Sequence, residues 1–335
     1  MQIDNLDVSD PAVVDELWRL TKTVHEQERQ GNPPPVEEAF RAGFGNEFPG
    51  HRTLRRGVWK DGRLAGCSSI TLNDRENKHL ATITGAVDPD RRREGVGQAL
   101  LDDAVRTAGD NGRTTFMCAA REPAEGGPFR SPAASELLAK NGFKISLREL
   151  NRGADVDALG EREQGLLDES KAASPGYRTL TWMGSAPDEV VDSFCRLMGI
   201  FLSEAPTGDV DMEDFQMDAE RMREAERSLA ARGSFGINTV ALDENDEVAA
   251  LTQYTVPSKD ADFAGQGMTL VDPAHRGKKL GIRVKIENLR RLREEFPGVK
   301  RLRTGNADTN THMNRINDMM GFQTVEVYAE YVKKA

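Results

Sequence analysis

The sequence predicts an α/β chain, α+β in its mixture of sheet and helix, built from two tandem copies of one domain. Three observations carry that expectation. The chain has 335 residues, more than one ordinary core uses and suited to two domains of roughly 100–200 residues each. A motif recurs: Val87-Asp88-Pro89-Asp90-Arg91-Arg92-Arg93-Glu94-Gly95-Val96-Gly97 is echoed by Val271-Asp272-Pro273-Ala274-His275-Arg276-Gly277-Lys278-Lys279-Leu280-Gly281. The spacing, about 180 residues, is that of a domain and not of a solenoid repeat. Around each motif the same order of β-rich runs, turn signals and amphipathic helices is found.

In the first half, residues 56–59, 64–70 and 80–84 read as strands, with Asp61-Gly62 as a hairpin turn. In the second half the strands are 237–242, 247–254 and 267–271, and Asp243-Glu244-Asn245-Asp246 makes the turn. After each motif come an amphipathic helix, a short strand, a second helix and a Gly-Phe pair, Gly142-Phe143 and Gly321-Phe322. Each half therefore reads as hairpin, strand, Gly-rich loop, helix, strand, helix, strand. The polar stretch 151–176, with a helix expected over 158–173 and a Ser174-Pro175-Gly176 stop, separates a first domain (1–150) from a second (177–335). An acidic loop, 205–214, precedes a charged helix and has only the Asn32-Pro33-Pro34-Pro35 region opposite it in the first half.

Composition narrows the function. Apolar residues make up 38% of the chain, enough for real cores, and a formal charge of −10 sets a repulsive field against phosphodiester backbones. No nucleic-acid partner is expected. Cys67, Cys118 and Cys195 are scattered and lack CxxC spacing, which argues against a disulfide framework or zinc site and for a reducing cytoplasm. No metal site is expected. The N-terminus is polar and no run approaches the ~20 apolar residues of a membrane span, so a cytoplasmic monomer or homodimer is expected.

The chemistry sits at the repeated motif. A strand followed by a Gly-rich loop and a helix N-terminus is an anion cradle: backbone N–H groups converge there and the helix adds about half a positive charge. Gly95 and Gly97 admit close approach to a diphosphate, and Arg91, Arg92 and Arg93 neutralise it. A Walker loop is excluded because no Gly-Lys-[Ser/Thr] follows, and the GxGxxG dinucleotide fingerprint is missing.

The order Val-Asp-Pro, [Arg/Gln]-x-x-Gly-x-[Gly/Ala], helix, strand, Asn-containing helix, Gly-Phe resembles the GNAT superfamily of N-acetyltransferases. The stretch 304–322, with Asn306, Ala307, Asn310, Met313 and Asn317 ahead of Gly321-Phe322, resembles the tandem actinobacterial type, distantly similar to mycothiol synthase. The resemblance implies a mixed, mostly antiparallel sheet, splayed into a V and flanked by helices, in each domain. It also implies acetyl-CoA (coenzyme A) as cofactor and acetyl transfer to a primary amine of a small molecule by direct attack. Backbone amides near Val87 and near Leu270 and Val271 would then hold the pantetheine arm. The diphosphate would rest on Arg92, Arg93, Glu94, Gly95, Val96, Gly97 and Gln98 in one copy. In the other it would rest on Arg276, Gly277, Lys278, Lys279, Leu280, Gly281 and Ile282, with Asn306 and Asn310 added.

Three departures from that pattern stand out. Lys279 occupies the place of the first motif glycine, where a positive φ is strained for a side-chain-bearing residue. Where relatives carry a tyrosine acid, Leu138 stands in the first half and Asn317 in the second, so Asn317 is the catalytic candidate and the first domain is expected to be the weaker catalyst. The strands before the motifs carry no glutamate, so proton removal falls to water or to Asp209, Asp211 or Glu213. His275 and His312 read as loop and surface residues, Cys118 and the Met313–Met320 stripe as core, and the basic cluster 290–303 as a solvated face with a possible hold on the adenosine 3′-phosphate. Alternatives in view are a mycothiol synthase-like enzyme and a non-catalytic coenzyme A-binding scaffold.

Overall fold

The computed structural model describes residues 1–214 and 216–335. They form two compact units, Met1–Glu149 with Thr207–Met212 and Val325–Ala335, and Leu150–Pro206 with Glu213–Thr324.

The first unit opens with a short strand β1 (Asp4–Asn5) and helix α1 (Pro11–Glu28). Asp10 caps α1 by accepting the Ala12 N–H at 2.9 Å, and Pro11 sits where a missing N–H costs nothing. Val14, Leu17, Leu20 and Val24 recur at helical spacing and bury one face of α1 with Leu6 and Leu64. After α2 (Glu37–Ala42) come β2 (His51–Lys60), β3 (Arg63–Asn73) and β4 (Leu80–Val87). The β2–β3 hairpin turns at Asp61 and Gly62, both at positive φ (51° and 74°), as the expected two-residue turn requires. Helix α3 (Val96–Asp110), β5 (Thr115–Pro123), α4 (Ala133–Lys140) and β6 (Lys144–Asp155) follow, β6 running across the boundary between the units.

The second unit continues with α5 (Arg162–Ala173), β7 (Arg178–Met183), α6 (Val191–Gly199), α7 (Phe201–Glu204) and α8 (Ala219–Ala231). Then come β8 (Phe235–Leu242), β9 (Val248–Val256), β10 (Phe263–Val271), α9 (Leu280–Glu295), β11 (Arg301–Ala307), α10 (Thr311–Met319) and β12 (Gln323–Lys334). Strand order is β1-β2-β3-β4-β5-β12 in the first unit and β6-β11-β10-β9-β8-β7 in the second. Neighbours β1–β2, β2–β3, β3–β4, β5–β12, β7–β8, β8–β9 and β9–β10 pair antiparallel, whereas β4–β5 and β10–β11 pair parallel.

These units differ from the division at 150 and 177 in two places. The last strand is part of the first unit because β12 pairs with β5 from Glu326↔Pro123 to Lys334↔Thr115, and Ala329 and Tyr331 enter that unit's core beside Phe116 and Leu138. Glu326, fully buried, is held there by Arg130 and Arg121, and Asn32 Nδ2 donates to it at 3.1 Å. Residues 207–212 also pack in the first unit: Val210 is buried with Leu80, Met117 and Val332, and the Asp209 N–H donates to Ser146 Oγ at 2.7 Å. The stretch 151–176 is not a bare linker, since it contains the end of β6 and α5, and Leu167 is buried in the second unit's core.

Candidate active site

In each unit the site begins where a strand ends and a helix starts. At the end of β4, one carboxylate oxygen of Asp88 accepts the Asp90 N–H at 3.2 Å and the other accepts Arg19 Nη1 of α1 at 2.7 Å. Arg19 also donates to the Leu64 carbonyl. The second unit repeats this: Asp272 accepts the Ala274 N–H at 3.0 Å and Arg196 Nη1 of α6 at 2.9 Å, and Arg196 donates to the Val248 carbonyl. Burial pushes both carboxyls up, but the arginine bonds more than reverse it and hold both below the usual carboxylate range. The motif aspartates are ionised anchors for their loops, not bases.

The two loops share one backbone path. Arg92 and Arg276 have matching angles (φ −72°, ψ 162° and φ −65°, ψ 163°). The next residue is left-handed in both, Arg93 at φ 62° and Gly277 at φ 82°, and so is the helix N-cap, Gly95 at φ 82° and Lys279 at φ 55°. Glycine and side-chain-bearing residue exchange places between the copies while the conformation stays. The strain expected at Lys279 is therefore present, and an equal one sits at Arg93.

Gly95 has no side chain to cap α3, and the Lys279 side chain does not bond the first turn of α9. The first intrahelical bonds are Ala99 N–H to Gly95 at 3.0 Å and Arg283 N–H to Lys279 at 3.2 Å. The N–H groups of residues 96–98 and 280–282 thus have no acceptor in their helices, the arrangement that suits a diphosphate. A Cβ on Gly97 would meet Leu137 at 3.5 Å and one on Gly281 would meet Ile316 at 3.4 Å, ordinary contacts, so the protein interior does not demand glycine at either place.

The basic residues differ in how they are engaged. Arg91 pairs with Asp61 at 2.7 Å and Arg92 with Glu28, whereas Arg93 has no ion-pair partner among the described residues. Glu94 pairs with Lys60, and Gln98 donates to Asp102 and Asn141 at 2.8 Å. In the second unit Arg276 pairs with Glu204 and Lys279 with Glu169. Lys278 donates to the Tyr177 hydroxyl at 2.6 Å, and that hydroxyl bonds His275 Nδ1 at 2.8 Å, so His275 packs the loop as expected. Of the basic cluster 290–303, Arg290 and Arg293 are bound to Glu163, Arg291 to Glu295 and Arg301 to Asp262: this face is ion-paired.

Beside each loop the sheet parts. The β4–β5 ladder holds only from Leu80↔Thr115 to Thr82↔Met117, although the strands continue to Val87 and Pro123. The β10–β11 ladder likewise ends at Gly265↔Arg303. In the second unit alone the inner strand is bulged, between Gln266 and Thr269, while β4 keeps unbroken register with β3. Gln266 Nε2 donates to Thr252 Oγ1 at 2.8 Å, and Thr252 Oγ1 meets Thr269 Oγ1 at 2.8 Å, which ties the bulge to β9. Leu270 is buried and Val271 half-buried at the end of this strand, as Val87 is in the other unit.

Asn317 is 1% exposed, with both ends of its amide engaged. Its Oδ1 accepts Lys285 Nζ at 2.9 Å and its Nδ2 donates to Asn306 Oδ1 at 2.8 Å. Asn306 in turn donates to Asn314 Oδ1 at 2.7 Å, and Asn310 caps α10 by accepting the Met313 N–H at 3.1 Å. Asn306 thus ties β11 to α10, and Asn310 starts that helix. Lys285 is the residue that sequence reasoning missed. Its signal was a lysine one turn after Gly281 on the inward stripe of α9, where Gly281, Asn288, Leu289 and Leu292 are also buried. In the first unit Leu138 is core, and burial pushes the Cys118 thiol up to about 12, an inert core thiol.

A sheet that parts after a few rungs beside a helix N-terminus is thus built twice in one chain. Residues 14–126 match the acetyltransferase (GNAT) family. Over the whole chain the fold is similar to a tandem GNAT protein from the clavulanic acid biosynthesis pathway (24% identity, TM-score 0.83, covering 99% of this chain and 98% of that one). A GCN5-related N-acetyltransferase from Sphaerobacter thermophilus shares it at 15% identity and TM-score 0.64, covering 99% and 95%. So does a glucosamine N-acetyltransferase region of a fungal β-N-acetylglucosaminidase, at 14% identity and TM-score 0.68, covering 99% of this chain and 38% of that one. No functionally curated protein matches the sequence. Among the described residues no helix is long and apolar enough to cross a membrane.

Proposed function

We propose that the chain transfers the acetyl group of acetyl-CoA to a primary amine of a small molecule, with the sequence repeats 1–150 and 177–335 each supplying one loop for the coenzyme. The single observation that carries this reading is the shared loop conformation, left-handed at 93 and 95 and again at 277 and 279, leading into helices whose first N–H groups are uncapped.

Loops 92–98 and 276–282 would hold the diphosphate by backbone N–H groups, and Arg93 in one copy and Lys278 and Lys279 in the other would add positive charge. Backbone near Val87 and near Leu270 and Val271 would align the pantetheine arm along the parted strand. Acetyl-CoA supplies an activated thioester; the protein's part is to hold amine and acyl carbon in line and to aim backbone N–H groups at the carbonyl oxygen. Direct attack is favoured over a covalent enzyme intermediate because burial pushes the Cys67 and Cys195 thiols up to about 11, far from a reactive thiolate. The chain's net negative charge favours a cationic amine, an amino sugar among the candidates.

Calorimetric titration with acetyl-CoA tests the reading. The wild type is expected to bind two equivalents, and Gly97→Glu and Gly281→Glu one each, since an added carboxylate opposes the diphosphate at a position where the fold tolerates a Cβ. Unchanged binding in both variants would remove the cradle assignment.

A further inference from the structure

We propose that Lys285, held in place by Asn317, is the proton donor to the departing sulfur in the second unit. The inference rests on the reading above that this unit binds acetyl-CoA.

Lys285 is 1% exposed, yet among the described residues no carboxylate lies within ion-pair distance of it. Of the three N–H donors on Nζ, Asn317 Oδ1 takes one at 2.9 Å, and the Phe322 ring lies 5.5 Å away. Two donors are unspent. A buried ammonium without a counter-charge is held at high cost unless it loses its proton or meets an anion. Arg152 of β6 adds to that cost through its like charge, being itself bound to Asp318 and to the Phe322 carbonyl. Burial, with Arg152 adding, pushes Lys285 down to about 7, so both protonation states are accessible at neutral pH.

Its location connects it to the site. Gly281, in the diphosphate loop, lies against Val271 of β10 and Ile316 of α10, and Lys285 is one turn, about 6 Å, further along α9. Asn317, its partner, is next to Ile316, and Asn306 lies on β11 beyond the last rung at Arg303. The chain Lys285–Asn317–Asn306 therefore runs from the helix behind the diphosphate loop to the part of β11 beyond its last rung with β10.

The duplicate unit supplies an internal control. Aligning Gly97 with Gly281, Gly142 with Gly321 and the Leu80↔Thr115 rung with Phe263↔Arg301 places Leu101, Leu138 and Ala120 where the second unit has Lys285, Asn317 and Asn306. All three are core residues of one apolar cluster. The same fold is complete with hydrocarbon at these positions, so the polar chain of the second unit answers a need other than folding.

The step balances as follows. The amine nitrogen bonds the acyl carbon while the carbon–sulfur bond breaks and leaves its electron pair on sulfur. The Lys285 ammonium gives one proton to that sulfur, yielding a thiol and a neutral lysine. The proton lost by the acylated nitrogen passes to water, from which Lys285 is recharged.

The test uses the full chain. The Cε resonance of Lys285 in 13C-lysine-labelled protein, assigned by Lys285→Arg, is titrated alone, with coenzyme A and with desulfo-coenzyme A. The ionisation of the bound thiol is followed by thiolate absorbance in wild type and in Lys285→Leu/Asn317→Leu, a double variant that copies the first unit's apolar residues. Coenzyme A is expected to raise the Lys285 midpoint by about one unit or more and desulfo-coenzyme A to leave it in place, with the bound thiol titrating about tenfold more readily in wild type than in the double variant. If coenzyme A binds the second unit and neither midpoint moves, the lysine assignment falls and the acetyl-CoA reading stands. If calorimetry shows no binding in that unit, both fall. If the double variant fails to fold, the wild-type lysine titration decides alone.

Discussion

Replacing the left-handed residue of each loop separates backbone strain from charge. A side-chain-bearing residue in the left-handed region costs roughly 1–2 kcal/mol. Glycine removes that cost but gives back roughly 0.5–1 kcal/mol through its freer unfolded chain. Lys279→Gly is therefore expected to be more stable than Lys279→Ala by about 0.5–1 kcal/mol. The pair with Glu169 cancels from this comparison, since both variants lose it; its side chains are 44% and 59% exposed, so it contributes little in any case. For a cooperative unit of this size that is an upward Tm shift of about 1–4 °C, readable by calorimetry or urea midpoints. Arg93→Gly against Arg93→Ala should give the same sign at the first loop's own left-handed, side-chain-bearing position, φ 62°. Acetyl-CoA affinity should weaken in both Lys279 variants relative to wild type, because each loses the cation. Alanine variants as stable as the glycine variants at both positions would show that the loops relax out of the left-handed region and that their shared geometry is not imposed by the fold.

Other outcomes follow from buried charge. Lys285 titrates near 7 when folded and at its ordinary 10.5 when unfolded, so the unfolded chain holds the extra proton between those values. Stability should rise with pH across that window, by roughly 1.4 kcal/mol per unit at most, and Lys285→Met should flatten the rise in pH-dependent denaturation. Glu330 has the opposite sign: burial, aided by Glu149, pushes it up to about 7, so its favourable contribution is present below about 4.5 and lost as pH climbs to 7. Glu330→Gln should abolish that loss in a Tm-against-pH series. Arg130→Met strands the fully buried Glu326 with a weaker set of partners and should cost about 3 kcal/mol, with strand β12 becoming the first site of proteolysis.

Much of the fold was legible because the repeated motif fixes strand ends and helix starts in both halves, and because Asp61-Gly62 encodes its own turn. Strand β2 is longer than the read 56–59, since His51 to Arg55 shows no β-branched run and is extended by its ladder with β3. The partner of β12 was not legible. Its alternation of Val325, Val327, Ala329 and Tyr331 with polar residues marks a strand, but period two says nothing about which neighbour it pairs with. The loops were legible as a conformation, because glycine and charge marked the turn that both units build. Lys285 was not, because it lies in a helix rich in Arg and Glu, where one inward lysine looks like the rest until burial separates it. Asn317 was found by its spacing from Gly-Phe, and its partner could come only from packing.

The asymmetry between the units follows from energetics. Replacing a buried polar or ionic set by well-packed hydrocarbon is often neutral or stabilising, and the first unit shows that this fold accepts the replacement at Leu101, Leu138 and Ala120. The second unit keeps Lys285, with no carboxylate in ion-pair reach among the described residues to offset its burial, and adds a bulge at Gln266 that breaks the register the first unit preserves. Both departures fall where β10 and β11 part, and neither is needed to close a core. Local costs gathered at one place in one copy, and missing at the equivalent place in the other, are what a division of labour predicts. On that argument the first unit would keep the proposed coenzyme cradle above apolar residues, while the second would join the same cradle to a group able to exchange a proton.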